Sequence, residues 1–415
     1  MKFDYEARHI IEALRSGIPS RSVGQYFSEA RPGIMQDIFQ DLDEVRNEGV
    51  SKGVVISGKY GEGKTHLLNT VFNLAQANNM VVSFISLSKE TPFDKLYLVY
   101  KKLVNNTYLP KRLQPGFIQE LEQLTPNSPI STDLLLFAAK QLKTDRLYYS
   151  FRSYLNTDDQ DEKFLLQSDL EGDFVPNQKV KQINRRIFGE RITFNINFVK
   201  YKHYQDYISF LSHLFNLLGY KGWVILFDET ELIGRLGKKA RMKAYTNMAS
   251  FLFPQKHLES TYSMFAISAS YNEDVLEGKH EYENLFELYS EEDAKPLNRV
   301  LDVISSSPQL DPLTKVEIRE VLQKMIVFHG RAYNWEPGMD VQELLKATEN
   351  CGHLLRTKIR AAIEYLDQIY QYGQIGRSIT RSLSLENFDE EPEFLDSPLE
   401  GYPATLEDEK VVLAK

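Results

Sequence analysis

The stretch Val54-Val55-Ile56-Ser57-Gly58-Lys59-Tyr60-Gly61-Glu62-Gly63-Lys64-Thr65 decides the fold. Its first four residues form a short apolar, β-branched run of the kind that makes a buried strand. Its last eight satisfy the spacing G-x-x-x-x-G-K-T in full. Residues Thr65 to Ala77 then take on helical periodicity, and Val81 to Leu87 (VVSFISL) reads as a second strand. Strand, glycine-rich loop, helix and strand together predict a βαβ unit with a parallel sheet.

The chemistry of the loop follows from its backbone. Successive N–H groups at a helix N-terminus bind phosphate oxygens, and the helix dipole favours the same negative charge. Glycines let the chain turn tightly and approach the phosphates. The expected nucleotide-binding set is Gly58, Lys59, Tyr60, Gly61, Glu62, Gly63, Lys64, Thr65 and His66. Lys64 would reach the β- and γ-phosphates, and the Thr65 hydroxyl would ligate Mg²⁺. A glycine-rich turn with an accidental Lys-Thr is the bland alternative; the strand before and the helix after argue against it. His66 fits helix packing better than catalysis.

Phosphate chemistry also needs a carboxylate at a nearby strand end. Trp223 to Phe227 (WVILF) is a continuous apolar run that leads straight into Asp228-Glu229. Such a run suits a strand covered on both faces. Asp228 is therefore the second predicted metal ligand beside Thr65, and Glu229 the general base for water. Glu231, in the same DETELIGR segment, fits a helix N-terminal carboxylate better than a catalytic group. A fourth strand, Ser263 to Ala269, ends in a polar stretch where Ser268, Ser270 and Asn272 compete to hold water or sense the γ-phosphate; Asn272 is the catalytic candidate among them. A turn-forming Asn is its plain alternative. Arg356, on the last long helical stretch, could supply positive charge in cis. Arg235, Arg241 or Arg299 could do so from a neighbouring subunit.

These elements place an N-terminal helical segment at residues 1–50 and an α/β core at 51–290. The core carries a large helical insertion at about 97–217. A helical lid at 291–380 and a mobile acidic tail at 381–415 complete the expected order. Polar patches at Thr125 to Ser131 and Thr157 to Gln178 read as loose. Leu313 to Tyr333, Val341 to Thr348 and His353 to Tyr372 read as lid helices.

The net charge of −9 is uneven. Residues Ser384 to Lys415 hold ten acids and two lysines, which leaves the remainder at 47 basic against 48 acidic groups. Bulk charge therefore neither favours nor excludes a nucleic-acid partner. No apolar run approaches the roughly 20 residues needed to span a bilayer, and MKFDYEARHI lacks the pattern of a secretory leader. A single cysteine, Cys351, excludes an intrachain disulfide and a cysteine zinc site. The histidines show no ligand spacing. A cytoplasmic, membrane-free location is expected. The basic and aromatic stretch Lys179 to Arg191, continuing into YKHYQDY, could contact a nucleic-acid backbone, although a solvated helix face explains it more simply.

Three stretches resemble the BREX-system ATP-binding proteins, the BrxD-like family of phage-defence loci. They are EARHIIEALRSGIPSRSV, ISGKYGEGKTHLL and WVILFDETELI, the last with a further acid after its Asp-Glu pair. The region around Leu313 to Trp335 is compatible with the family but less diagnostic, so the resemblance covers the first 90 or so residues and two later islands; the segment from about 100 to 210 matches nothing specific. It implies an AAA+/ASCE-like P-loop NTPase with a helical lid, ATP with Mg²⁺, other defence-system proteins as partners, and Arg356 in the lid's sensor position. DNA contact and self-assembly into a homo-oligomer stay open. The leading expectation is an ATPase subunit of a defence complex. Against it stand an origin-recognition-like DNA-binding switch with slow or absent hydrolysis, and a regulatory scaffold.

Overall fold

Five strands carry the architecture: β1 (Lys52–Gly58), β2 (Val81–Ser86), β3 (Thr107–Tyr108), β4 (Trp223–Asp228) and β5 (Thr261–Ser268). They lie in the order β1-β5-β4-β2-β3, and every pairing is parallel except β2 with β3. The computed structural model describes residues 4–373 apart from positions 19, 29, 256, 350, 352 and 353. The predicted acidic tail lies outside the described residues.

Burial on both faces explains the continuous apolar runs. All six residues of β4 are buried. Val224 and Leu226 point to one face, where the helices Pro32–Glu48 and Lys64–Ala77 cover the sheet. Ile225 and Phe227 point to the other, against Phe93, Phe251 and Phe265. The Phe227 and Phe265 rings stack with centroids 4.5 Å apart.

The 88–222 interval is mainly helical, as expected, but it is less loose than its polarity suggests. Asp159 caps a helix at Gln160–Leu170 inside the second polar patch, and that helix buries Leu166, Asp169 and Leu170. Ser128 caps another, Pro129–Lys140, that begins inside the first. A side-chain oxygen that satisfies free N–H groups starts a helix even where the sequence is polar. The insertion's centre is a fully buried Arg146, which bonds both oxygens of Asp169 at 2.8 and 2.7 Å; Asp169 also accepts from the Tyr207 hydroxyl at 2.6 Å. The two-residue β3 and the helix Glu291–Ser305 were not anticipated.

The ends of the described chain meet. Ile10 and Ile11 of the helix Tyr5–Ser16 share an apolar cluster with Phe328, Leu344 and Leu366. These come from the helices Lys315–Tyr333, Val341–Thr348 and Leu355–Tyr372. Arg15 and His329 both bind Asp367. Residues 308–310 run beside the outer edge of β1, where Ser57 N–H donates to Pro308 O and Leu310 N–H to Ser57 O. That strap leads directly into the Lys315–Tyr333 helix.

Candidate functional site

The loop after β1 turns through two residues with left-handed backbone, Gly61 (φ 83°) and Gly63 (φ 94°), a region that costs side-chain-bearing residues energy. Lys64 then opens the helix Lys64–Ala77, so the helix N-terminus faces the loop. The Lys64 ammonium is nearly buried and donates to Gly58 O at 2.7 Å. Thr65 Oγ1 donates to Asp228 Oδ2 at 2.7 Å. β5 lies between β1 and β4, and the register pairs Gly58 with Ser268.

The strand end supplies three carboxyls to the same cleft. Asp228 is buried and receives the Thr65 hydroxyl and the Glu229 N–H. Glu229 has left-handed backbone (φ 56°), which takes its side chain out of the strand's alternation. A conformation of this kind costs about 1–2 kcal/mol and persists only where its surroundings fix it. Glu231, at the start of the 3-10 turn Thr230–Arg235, is 5 % exposed, and its Oε2 has no hydrogen-bond partner among the described residues. Burial raises all three pKa values. For Asp228 the Thr65 hydroxyl opposes the rise; for Glu229 the Asp228 charge adds to it. Glu231 is pushed up to about 7, with Lys64 opposing.

The cleft holds about 1090 Å³ of empty space, part of it open to solvent. Lys59, Tyr60, Gly61, Gly63, Lys64, Thr65, His66, Asp228, Glu229, Glu231 and Arg356 line it. Leu14, Ile18, Phe27, Leu355 and Ile359 add apolar surface to the lining. The lining thus joins the loop, the β4 end, the N-terminal helices and the last helix. Arg356 Nη1 donates to the Tyr60 hydroxyl at 2.9 Å, and its guanidinium lies 5.0 Å from that ring. His66 Nε2 meets Phe27 O at 2.9 Å, a packing contact that ties the loop helix to the N-terminal segment.

Other sequence candidates sit elsewhere. Asn272 donates to Glu277 Oε1 at 3.0 Å and does not line the cleft. Arg241 is buried in an ion pair with Glu281, so it cannot serve a neighbouring subunit, contrary to expectation. Arg299 covers the Phe253 ring at 4.0 Å. In the basic stretch, Arg186 is held by Glu162. Cys351 is buried. Among the described residues no group of three or more His, Cys, Asp or Glu could hold a metal ion, and no helix is long and apolar enough to cross a membrane.

The family of BREX system ATP-binding protein BrxC/D matches residues 4–123 and 150–380. The chain belongs to that family. No curated protein matches the sequence. The BrxC/D match extends well beyond the three recognised stretches and takes in most of the insertion that sequence inspection matched to nothing. Residues 124–149, which include the helix Pro129–Lys140, fall outside it. Membership identifies an ATP-binding protein of a BREX-type defence system, with other components of that system as partners.

Arg31 also lines the cleft, and the sequence did not single it out. It lies in a turn before the helix Pro32–Glu48, far from the loop in the chain and outside any motif spacing. Its one local sign is the following proline, which marks a helix start.

Proposed function

We propose that this BrxC/D protein is a P-loop ATPase of AAA+/ASCE type that binds ATP with Mg²⁺ and hydrolyses it, coupling the cycle to assembly of a BREX complex or to action on DNA. The observation that carries this reading is the 2.7 Å bond from Thr65 to Asp228, with Glu229 next in the chain and Lys64 on the same helix turn. The strand order supports it, since an extra strand separates the loop strand from the acid strand.

The donor set fits Mg²⁺. A hydroxyl and a carboxylate are hard oxygen ligands, and Mg²⁺ takes one or two such protein groups together with water and substrate phosphates. When bound, the ion neutralises charge on the β- and γ-phosphates. The chain's own groups do the rest. Lys64 and the N–H groups of the loop hold the phosphate chain, and the apolar lining residues of the cleft take the base. Glu229 accepts the proton of water as its oxygen bonds to the γ-phosphorus, and ADP departs with the electrons of the broken P–O bond. Arg356 moves from Tyr60 to the transferring phosphate.

Domain roles follow the same scheme: a core at 51–290, an N-terminal segment at 1–50 and a lid at 291–380. Of the last two, the helix Tyr5–Ser16 and the helices from Lys315 to Tyr372 share one apolar cluster, while the helices Pro32–Glu48 and Glu291–Ser305 pack on the core. Phosphate release from ATP and Mg²⁺ by the wild-type protein tests the reading. Tight ATP binding without turnover would favour the nucleotide switch instead. A salt titration of duplex-DNA binding separates DNA action from a protein scaffold, because phosphate contacts weaken steeply with salt.

A further inference from the structure

We infer that Arg31 is a phosphate-contacting residue of the nucleotide site, a cation that the N-terminal segment adds to the loop's own lysine. This rests on the proposed nucleotide cleft and goes beyond its motif residues. A guanidinium carries five N–H donors. Here Nε donates to Asp311 O at 3.1 Å, and Nη2 donates to Glu62 O at 2.8 Å and to Asp311 O at 3.0 Å. These contacts fasten the group between the loop and Asp311, the residue that follows the strap.

Nη1 is left over. It makes no hydrogen bond among the described residues and lies against the loop: a Cβ added to Gly63 would sit 3.7 Å from it. Arg31 also lines the cleft, beside Gly63, Lys64 and His66 at the opening of the loop helix. Those positions present their N–H groups to phosphate in the proposed site.

The charge of Arg31 is poorly compensated. Its side chain is 10 % exposed, and the closest carboxylate oxygen, on Glu62, is 3.9 Å away. Burial lowers its pKa despite the opposing pull of Glu62, Glu317 and Asp311. A cation held mainly by carbonyls, with its nearest carboxylate oxygen 3.9 Å away, gains from an anion placed at its remaining N–H groups. The backbone is fixed for the purpose as well. Arg31 has left-handed φ and ψ of 59° and 61°, and its N–H donates to Glu317 Oε1 at 2.8 Å on the first turn of the Lys315–Tyr333 helix. Strained residues of this kind cluster at ligand clamps.

Calorimetric titration of Arg31→Gln with ATP, ADP and adenosine tests this. Loss of a charged hydrogen bond predicts ATP and ADP affinities weaker by about tenfold to a hundredfold, with adenosine unaffected. Wild-type affinity for ATP and ADP would overturn the assignment. So would an equal loss for adenosine, which would make Arg31 a brace for the cleft. If Arg31→Gln does not fold, Arg31→Lys decides. One ammonium cannot hold Asp311 and Glu62 and also face phosphate, so ADP affinity should fall several-fold with adenosine unchanged; an unchanged ADP affinity again overturns the assignment. Failure of the wild-type protein to bind ATP would instead sink the nucleotide site itself.

Discussion

Thr65 and Asp228 are 163 positions apart in the chain, and the Thr65 hydroxyl donates to the Asp228 carboxylate at 2.7 Å. That bond joins the glycine-rich loop to the acid strand across the whole helical insertion. It also opposes the rise that burial imposes on the Asp228 pKa.

Replacing Thr65 by Val should therefore act twice. Without nucleotide, Asp228 loses a hydrogen bond to a charged group, costing roughly 1.5–3 kcal/mol, which a urea titration would read. With nucleotide, the Mg²⁺-dependent part of ATP affinity should disappear. Retention of the full Mg²⁺ effect would remove Thr65 from the proposed metal site.

Lys64→Ala and Glu229→Gln should separate binding from turnover. Lys64→Ala removes the cation at the helix start, and ATP binding should be lost in calorimetry. Glu229→Gln keeps the shape but cannot accept a proton. ATP should still bind, while kcat falls by about 10²–10⁴-fold. Hydrolysis by Glu229→Gln at the wild-type rate would show that another group is the base.

Glu231 predicts a pH effect on the nucleotide-free protein. Its pKa is about 7 in the fold against an ordinary 4.5. Between those values the folded state holds a proton that the unfolded state has released, so this contribution to stability falls as pH rises and is gone above about 7. The loss should be on the order of 3 kcal/mol. Melting curves of wild type and Glu231→Gln from pH 4.5 to 7.5 check it: the variant should show the flatter slope. Parallel curves would contradict the burial of an unpaired carboxyl.

Asp169→Ala should be severe. It leaves the Arg146 guanidinium buried and unpaired in the insertion, which costs about 3–5 kcal/mol. Chemical denaturation measures the loss. A change within about 0.5 kcal/mol, typical of surface sites, would mean that water replaces the carboxylate.

Much of the core was legible because its signals are local. The four apolar strands are set by short apolar runs, and they fall within a residue or two of their predicted positions. The helix Val341–Thr348 has the predicted ends. The polar stretch from Thr157 hid a helix because its capping residue, Asp159, is also a common turn former. Arg241 was one of three arginines that could have reached a neighbouring subunit; its partner Glu281 comes from another element, and no spacing rule connects the two.

The sequence by itself determined that a glycine-rich loop opens a helix after a strand, and that an apolar strand ends in Asp228-Glu229. Both are consequences of backbone geometry and burial within a few residues. Only the tertiary structure decided that Asp228 meets Thr65, that Glu231 is buried with its Oε2 unpartnered among the described residues, and that Arg31 lies against Gly63 while Arg356 holds Tyr60. Each of these depends on long-range packing, above all on the N-terminal helix and the last helices sharing one apolar cluster beside the loop. Hydrophobic burial carries no record of sequence distance, so a linear pattern can name the groups of a site without showing which of them face each other.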